Sequence, residues 1–409
     1  MEVVHERCCG LDVHKKSVVA CRMTPGQEGL VQKEVRTFGT MTDELLSLSQ
    51  WLDVAGVTHV AMESSGVYWK PVWNLLEDDF ALILANPRQI KARSRRKTDV
   101  RDAEWIADLL RHDLIEPSFV PGREQRELRE LTRYRTSLVQ ERTAELNRLQ
   151  KVLEGANIKL ASVASDIQGK SARQMIEGLI NGATDTAALA DLAIGRMRSK
   201  IPELQRALQG RFAPHQRFLL AQQFAHLDAL DASIAAVTAE IELRMVPYAD
   251  EIERLDTIAG VGAITAYDIV AEIGTDMTKF GTPQRLASWA KMCPGVNESA
   301  GKRHSGKTGK GNRWLRGTLV QAAHAAAHGK TYLASQYHRL AGRIGKKKAA
   351  VAVGHSILVI AFHILSNPGM SYQDLGANYL DQRRKQRLTH NLVKRLQGLG
   401  FYVTLEPTG

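Results

Sequence analysis

The sequence has few cysteines, no secretory-signal pattern in its first residues and no uninterrupted apolar run of membrane-spanning length. Its four cysteines, Cys8, Cys9, Cys21 and Cys293, form neither a disulfide framework nor a CxxC pair, which fits a reducing cytoplasm. No basic start followed by an apolar stretch opens the chain, so a secretory signal is not expected. The most apolar run, residues 349–365, is slightly short for a membrane span and is interrupted by polar side chains. We therefore expect a buried helix there, in a cytoplasmic protein without a membrane partner.

Acidic residues are absent from four strongly basic segments, although the whole chain has 44 Asp and Glu against 55 Lys and Arg. These segments are residues 88–97, 302–316, 339–348 and 383–395, with charges of +6, +6, +5 and +6. Because the net charge of the chain is only +11, the remaining residues are acidic as a group. Any one segment is compatible with solvated loop charge, but the four together predict a polyanionic partner.

The N-terminal part of the chain has the alternating pattern of an α/β domain. With 409 residues, of which 44% are hydrophobic, the chain is expected to form two or three packed domains. Within the first 115 residues the patterns predict three strands and then helix, strand, helix, strand and helix, which is the order of a ribonuclease H-like domain. The predicted strands are Val3 to Val13, Ser17 to Met23, Val31 to Phe38, Thr58 to Glu63 and Phe80 to Asn86, and the predicted helices are Thr42 to Ala55, Val67 to Glu77 and Asp99 to Leu114.

Two long helices are predicted in the middle of the chain, over Arg123 to Glu154 and over Pro214 to Met245. In both, apolar residues recur at steps of three and four among many charged residues. They are compatible with a coiled-coil arm and equally with an ordinary helical hairpin. Residues 155–213 between them are expected to form shorter helices in loops.

A glycine turn, Gly260-Val261-Gly262, lies between two apolar helical stretches within residues 255–274. In a helix-hairpin-helix such a turn allows backbone N–H groups to approach a phosphate, and the next helix adds its dipole. The other interpretation is a simple corner between two helices. The fold class predicted for the whole chain is thus α/β followed by mainly α.

Four acidic residues are the candidates for chemistry. Asp12 lies within the first predicted strand, Glu63 ends the fourth, and Asp99 and Asp102 share one face at the start of a helix. Convergent carboxylates repel one another, and one or two hard divalent cations that bridge substrate phosphates relieve that repulsion. Asp99 and Asp102 also suit a helix start without any metal, whereas an acid inside an apolar strand needs a partner or an ion.

These residues lie in segments that resemble a known family. GLDVHKKS, AMESSGVYW and KTDVRDAEWIADLL resemble the acidic motifs of the DEDD-type, RuvC-like domain in the IS110 family of insertion-sequence transposases. LDTIAGVGAITA, LASWAKMCPGVNESAGK and GKGNRWLRGTL resemble the second domain of that family. The resemblance covers roughly residues 5–155 and 250–365, and order and spacing agree throughout.

The resemblance implies an RNA-guided DNA recombinase that excises and inserts its own element, with donor DNA, target DNA and an element-encoded guide RNA as partners. It implies that Asp12, Glu63, Asp99 and Asp102 hold Mg²⁺, and that a serine in the second domain is the nucleophile. A phosphoseryl link conserves the energy of the phosphodiester bond, so strands are exchanged and resealed without ATP.

The motif PGVNESAGK identifies Ser299 as that nucleophile. Ser305 is the rival, because Gly306 follows it directly whereas Ser299 is followed by Ala300. Phosphates are expected to be held by basic residues close to the acids and to the serine. These basic residues are Arg93, Arg95, Arg96, Lys302, Arg303, Lys307, Lys310, Arg313 and Arg316.

We expect four parts in the chain. They are a RuvC-like domain (1–122), a helical or coiled-coil region (123–250), a serine-bearing domain (251–368) and a basic C-terminal tail (369–409) that adds nucleic-acid contacts. Two duplexes must be cut in concert, so a dimer of dimers is expected, in a bacterial cytoplasm and associated with the nucleoid.

Two other functions are compatible with the residues. The first is a RuvC-like structure-specific nuclease in which metal-activated water replaces the serine. The second is a non-catalytic nucleic-acid-binding protein, against which the intact set of four acids argues.

Overall fold

The computed structural model describes residues 2–27, 30–64, 66–87, 99–294, 297–299, 302–305, 308–309, 311–383 and 385–405. For residues 297–299, 302–305 and 387–388 it describes the backbone alone. The chain divides into two compact units, residues 1–123 and residues 124–409. The first contains a mixed sheet and its helices, and the second is mainly helical. The predicted succession of an α/β part and a helical part is therefore confirmed.

The first unit follows the predicted order of elements. Its strands are β1 (Cys8–Val13), β2 (Ser17–Pro25), β3 (Val31–Gly39), β4 (His59–Glu63) and β5 (Ala81–Ala85), and its helices are α1 (Thr42–Asp53), α2 (Trp69–Leu76) and α3 (Asp99–Arg111). The first strand begins at Cys8 and not at Val3 as predicted. The reason is that the N–H groups of Val4 and His5 donate to the carbonyl of Arg111 at the end of α3, and are not available to the sheet.

The sheet has the strand order β3-β2-β1-β4-β5. The strand β2 is antiparallel to both of its neighbours, whereas β1, β4 and β5 run parallel. Alternate residues of each strand face opposite sides. Leu11 and Met62 pack on the side of α1 and α2, while Cys8 and Ala61 pack on the side of α3. By the same alternation, residues 12 and 63 lie on the side of α3.

Helix α3 lies directly on β1 at Gly10. A Cβ atom at this position would be 2.3 Å from the backbone nitrogen of Ala107 and 2.4 Å from the carbonyl oxygen of Ala103. Such distances are far shorter than van der Waals contact, so only glycine allows the helix to lie this close to the strand. The close approach determines where the N-terminal turn of α3 sits above the end of β1.

The two long helices, α4 (Arg123–Gly155) and α9 (Pro214–Met245), pair within one chain as an antiparallel hairpin. Arg244 donates to Glu127 at 2.7 Å near one end, and Arg142 pairs with Asp231 further along. As residue numbers rise along α4 they fall along α9, which defines the antiparallel direction. The described chain therefore has an intramolecular helical hairpin, and the coiled-coil arm stays a prediction.

Residues 156–213 form a small helical head at the end of this hairpin. The head contains α5 (Leu160–Val163), α6 (Lys170–Ile180), α7 (Thr186–Asp191), a 3₁₀ turn (Gly195–Lys200) and α8 (Ile201–Ala207). Its core continues into the hairpin through Leu149, Leu153, Leu220 and Phe224, which are all buried. The short helices expected here are confirmed, and they pack with the ends of the long helices into one core.

The rest of the second unit surrounds one apolar helix. The helices are α10 (Ala249–Asp256), α11 (Ala263–Ile273), α12 (Pro283–Trp289), α13 (Arg313–Ala326), α14 (Tyr332–Ile344), α15 (Lys346–Ser366), α16 (Tyr379–Gln382) and α17 (Lys385–Gly398), with a two-stranded hairpin of β6 (Asn297–Ser299) and β7 (Lys302–Ser305). Helix α15 is long and apolar enough to cross a membrane. It packs instead against α13 and α14, and Val353, Ile357 and Leu358 are fully buried, which confirms the predicted buried helix.

The glycine turn lies between α10 and α11, as predicted. Gly260 has φ +87°, and a Cβ there would be 2.3 Å from the carbonyl oxygen of Ala322 in α13. The first glycine is therefore required for the turn to pack against a helix of the same unit. This contact accounts for Gly260 as a helix corner, without any phosphate.

Candidate functional site

The candidate site is at the carboxyl end of β1, where Asp12 lies only 8% exposed. Asp12 shares the α3 side of the strand with Gly10, because side chains alternate along a strand. In the neighbouring parallel strand Leu11 is paired with Met62, so Asp12 and Glu63 occupy the next positions along β1 and β4. The two carboxylates are thus carried by adjacent strands on the same side of the sheet.

His14 and Asp99 complete a close group of ligand atoms around Asp12. The Nε2 atom of His14 is 3.1 Å from the Oδ2 atom of Asp12 and 3.5 Å from the Oδ2 atom of Asp99. Among the described residues, one potential ligand atom from each of these three side chains lies within 4.8 Å of the others. Residues 12 and 99 therefore converge as expected, and an imidazole lies between them.

The electrostatics of the group favour a cation. Burial raises the pKa of the Asp12 carboxyl above its ordinary 3.8. The hydrogen bond and charge of His14 lower that pKa, while the nearby carboxylates of Asp99 and Asp102 raise it further. A carboxylate whose ionised form is opposed by burial and by two like charges is stabilised by a positive ion between the carboxylates.

Glu63 and Asp102 lie in the elements predicted for them, at the end of a strand and at the start of a helix. Glu63 is the last residue of β4 and is partly buried, and Asp102 lies in the first turn of α3. Both lie outside the close group of three ligand atoms found among the described residues. Asp102 nevertheless acts on Asp12 through its charge.

His14 belongs to this group and was not among the site residues predicted from the sequence. The available signal was its spacing, because a residue two positions after Asp12 faces the same side of an extended chain. Two carboxylates and one imidazole are a donor set that divalent cations accept, with oxygen preferred by Mg²⁺ and nitrogen by transition metals. The three side chains therefore fit a divalent-metal site.

The predicted serine segment lies in the two-stranded hairpin of the second unit. Ser299 is paired with Lys302 at the closed end of this hairpin, and Ser305 is paired with Asn297 at its open end. The backbone positions of Lys302 and Arg303 are in β7. Arg93, Arg95, Arg96, Lys307 and Lys310 were predicted to bind phosphates and lie outside the described residues.

Arg313 and Arg316 are the two predicted phosphate-binding residues whose side chains the structure describes. Arg313 is exposed, and its guanidinium carbon lies 4.5 Å from the centre of the Trp314 ring. Arg316 donates through Nη2 to the carbonyl oxygens of Lys291 at 2.7 Å and Gly309 at 2.8 Å. The two arginines therefore have different surroundings, although they are three residues apart.

The chain matches two family models. Residues 9–158 match the DEDD-type transposase domain of the IS110 group, and residues 252–339 match a domain described as the transposase IS116/IS110/IS902 family. Asp12, Glu63, Asp99 and Asp102 all fall within the first match, and Ser299 falls within the second. A DEDD-type domain together with the close donor group around Asp12 indicates a divalent metal.

Three curated relatives are similar to most of the chain. A probable family 20 transposase of Pseudomonas aeruginosa is 26% identical over 317 residues, covering 75% of this chain and 83% of the relative. The transposase for insertion sequence element IS1111A of Coxiella burnetii is 26% identical, covering 69% of this chain and 71% of the relative. A 42 kDa protein of insertion element IS900 from Mycobacterium paratuberculosis is 28% identical, covering 58% and 61%.

Proposed function

Because the chain belongs to the IS110 family of insertion-sequence transposases, and is thus an enzyme that acts on DNA, we propose that it is an RNA-guided recombinase with a serine nucleophile. The observation that carries the proposal is the convergence of Asp12 and Asp99 on His14 at the carboxyl edge of β1. A nuclease that uses metal-activated water is not favoured, because it leaves the matched second domain without a task.

The first unit is proposed to be a ribonuclease H-like, RuvC-like domain. Its strand order, β3-β2-β1-β4-β5 with only β2 antiparallel to its neighbours, supports this assignment. In such an arrangement the parallel strands β1 and β4 present their carboxyl ends at one edge, where residues 12 and 63 lie. Helix α3 brings Asp99 and Asp102 to the same edge.

Mg²⁺ is the proposed metal, held by Asp12 and Asp99 with Glu63 and Asp102 from the neighbouring elements. When bound, a divalent ion offsets negative charge that develops on a phosphodiester and eases deprotonation of a hydroxyl. The protein's own task is to hold the carboxylates in place. His14 contributes by orienting the Asp12 carboxylate, whose Oδ2 atom is 3.1 Å from its Nε2 atom.

Ser299 is the proposed nucleophile, with Ser305 as the rival. The seryl oxygen forms a bond to a DNA phosphorus as one phosphodiester P–O bond breaks, the serine proton is lost, and the departing strand oxygen takes up a proton. The bond energy remains in the phosphoseryl link, so the reverse attack by another strand end reseals DNA. The family match over residues 252–339 and the basic surroundings of the hairpin support this role.

The proposed partners besides DNA are an element-encoded guide RNA and further copies of the chain, which form a dimer of dimers. Four separate acid-free basic segments support a second nucleic-acid partner besides DNA, because each segment can neutralise phosphates. Residues 255–274 are proposed to bind a phosphate as a helix-hairpin-helix. The glycine that the phosphate would approach is Gly262, which is exposed at the start of α11. RNA that co-purifies with the protein from cells containing its element tests the guide.

The covalent step is tested with suicide DNA substrates on denaturing gels. The parent protein should form a phosphoseryl adduct that depends on added Mg²⁺, and Asp12→Asn should lower its yield by at least about a hundredfold, because one carboxylate charge is lost. Ser299→Ala should abolish the adduct and Ser305→Ala should retain it. An adduct in Ser299→Ala would transfer the role to another residue, and metal-dependent cleavage without any adduct would support the nuclease.

A further inference from the structure

The two ends of the loop between α12 and α13 meet at a narrow neck, which we define as residues 290–292, 309, 311 and 312. Arg316, in the first turn of α13, donates to the carbonyl oxygen of Lys291 at 2.7 Å and to that of Gly309 at 2.8 Å. Lys291 belongs to the chain that enters the loop, and Gly309 belongs to the chain that leaves it. A single guanidinium therefore ties the two stems together.

The backbone of the neck is unusual on both stems. Lys291 has φ +53°, a left-handed conformation that is unfavourable for a residue with a Cβ atom. A Cβ at Gly311 would lie 2.4 Å from the carbonyl oxygen of Ala290 and 2.7 Å from the Cβ of Lys291. The stems are thus in direct backbone contact, and a strained residue is maintained at the point that Arg316 holds.

A buried ion pair anchors the outgoing stem. Asn312 caps α13 by accepting from the N–H groups of Trp314 and Leu315, and its amide donates to Glu272 at 2.5 Å. Glu272 is only 2% exposed, and Arg133 holds it with two bonds of 2.7 and 2.8 Å. The neck is therefore connected to α11 and α4, and it cannot shift without disturbing a desolvated ion pair.

We propose that Arg316 is a positioning residue that closes the neck and so fixes the orientation of the hairpin that carries Ser299 and Ser305, and that it is not a phosphate ligand. The inference rests on the proposed function of that hairpin. Arg313 provides the contrast within the same helix turn, because its guanidinium is exposed on the face of Trp314 and is open to a phosphate.

The test compares three variants that leave the number of cationic and acidic side chains unchanged: Arg316→Lys, Arg313→Lys and Gly311→Ala. Both bonds of Arg316 come from its Nη2 atom, which lies one bond further from the backbone than the Nζ atom of a lysine. Lysine therefore keeps the charge but falls short of the two carbonyls. Gly311→Ala should push the two stems apart, because its Cβ atom would lie 2.4 Å from the carbonyl oxygen of Ala290. Three quantities are measured: amide hydrogen exchange over residues 291–312, DNA affinity as a function of salt, and the rate of phosphoseryl adduct formation.

Arg316→Lys and Gly311→Ala should both accelerate exchange in the loop and slow adduct formation by at least about tenfold, because small displacements of a reacting group are costly. The salt dependence of DNA affinity should be unchanged in both. Arg313→Lys should leave the exchange of the loop as in the parent. Exchange within the buried helix α15, which belongs to the same unit as positions 311, 313 and 316, reports whether each variant is folded.

Two results would overturn the proposal. One is parent-like loop exchange in Arg316→Lys and Gly311→Ala. The other is an Arg316→Ala protein whose salt slope falls by about 0.9, as expected for a lost phosphate contact, while its loop exchange is unchanged. If the parent protein forms no adduct at all, the proposed function fails, and the exchange measurement still decides whether Arg316 closes the neck.

Discussion

At the scale of single residues, Asp268 in α11 is a partly buried acid that the proposed chemistry does not use. Its carboxylate accepts a hydrogen bond of 2.8 Å from Thr318, and it lines a water-sized cavity of about 10 Å³ together with Glu272 and Trp314. Burial raises the pKa of Asp268 to about 6, although the bond from Thr318 and the charge of Arg135 lower it. The group therefore titrates in the folded protein above its ordinary range.

This raised pKa predicts a pH-dependent stability. Between about pH 4 and pH 6 the folded state keeps a proton that the unfolded state has released, so stability falls as pH rises and is level above pH 6. The full penalty is roughly 3 kcal/mol, because two pKa units separate the states. Asp268→Asn retains an acceptor for Thr318 and should remove the penalty. Urea denaturation should show that the variant is more stable than the parent near pH 8 and equally stable near pH 4. The same difference in the free energy of unfolding at both pH values would contradict this prediction.

His14 shows how one side chain changes the description of the acidic site. The acids were recognised because carboxylates in apolar strands are unusual, whereas a histidine in a polar turn is common. Its importance comes from position, since it bonds Asp12 two residues away and lies 3.5 Å from Asp99, 85 residues further along the chain. The second of these contacts has no signature in the local sequence.

At the scale of elements, the packing of α3 on β1 controls the acidic site. Gly10→Ala would place a methyl group 2.3 Å from the backbone of Ala107, so the helix must move outward together with Asp99 and Asp102. The expected cost is about 1–3 kcal/mol or more, as for other overpacked contacts, with weakened binding of divalent cations. Thermal denaturation and calorimetric titration with Mn²⁺ measure the two effects.

Gly122→Ala is the matched control, because a Cβ at Gly122 meets no atom within 4 Å. Its stability should stay within about 0.5 kcal/mol of the parent. A Gly10→Ala protein as stable as this control, with unchanged cation affinity, would show that α3 is not positioned by its contact with β1.

At the scale of the whole molecule, the C-terminal segment has two parts. The N–H of Tyr372 donates to Thr257, and Asp374 accepts from the N–H of Tyr332, so this part contacts α14 and the end of α10. Helix α17 follows, with Leu392 and Leu396 exposed. The basic tail expected from residue 369 is thus divided into a docked part and a separate helix.

Deleting residues 385–409 should therefore weaken RNA binding without unfolding the helical unit. The deleted segment has four Lys and Arg residues, and single-stranded contacts release about 0.7 counterion each, so the salt slope should fall by at most about 3. Affinity for the guide RNA measured at several salt concentrations checks this. Unchanged affinity would sink the proposal that this segment contacts nucleic acid, and a lowered melting temperature would show that the helix packs on the unit.

The order of strands and helices in the first unit, the two long helices and the buried apolar helix α15 were predictable from the amino-acid sequence. Alternation, helical periodicity and capping are local properties, so they are visible in a single chain. The acids of the candidate site were predictable for the same reason, because Asp12 and Glu63 interrupt apolar strands. The basic segments and the family motifs already indicated a nucleic-acid enzyme.

Tertiary structure alone decided the contacts between residues that are distant in sequence. It placed His14 between Asp12 and Asp99, paired α4 with α9 as a hairpin, and gave Arg316 two backbone carbonyls to hold. A local pattern determines which face of an element is apolar, but not which element covers that face. That choice depends on side-chain packing and on the close approach of backbones, as at Gly10 and Gly311, where a single Cβ atom would prevent the contact.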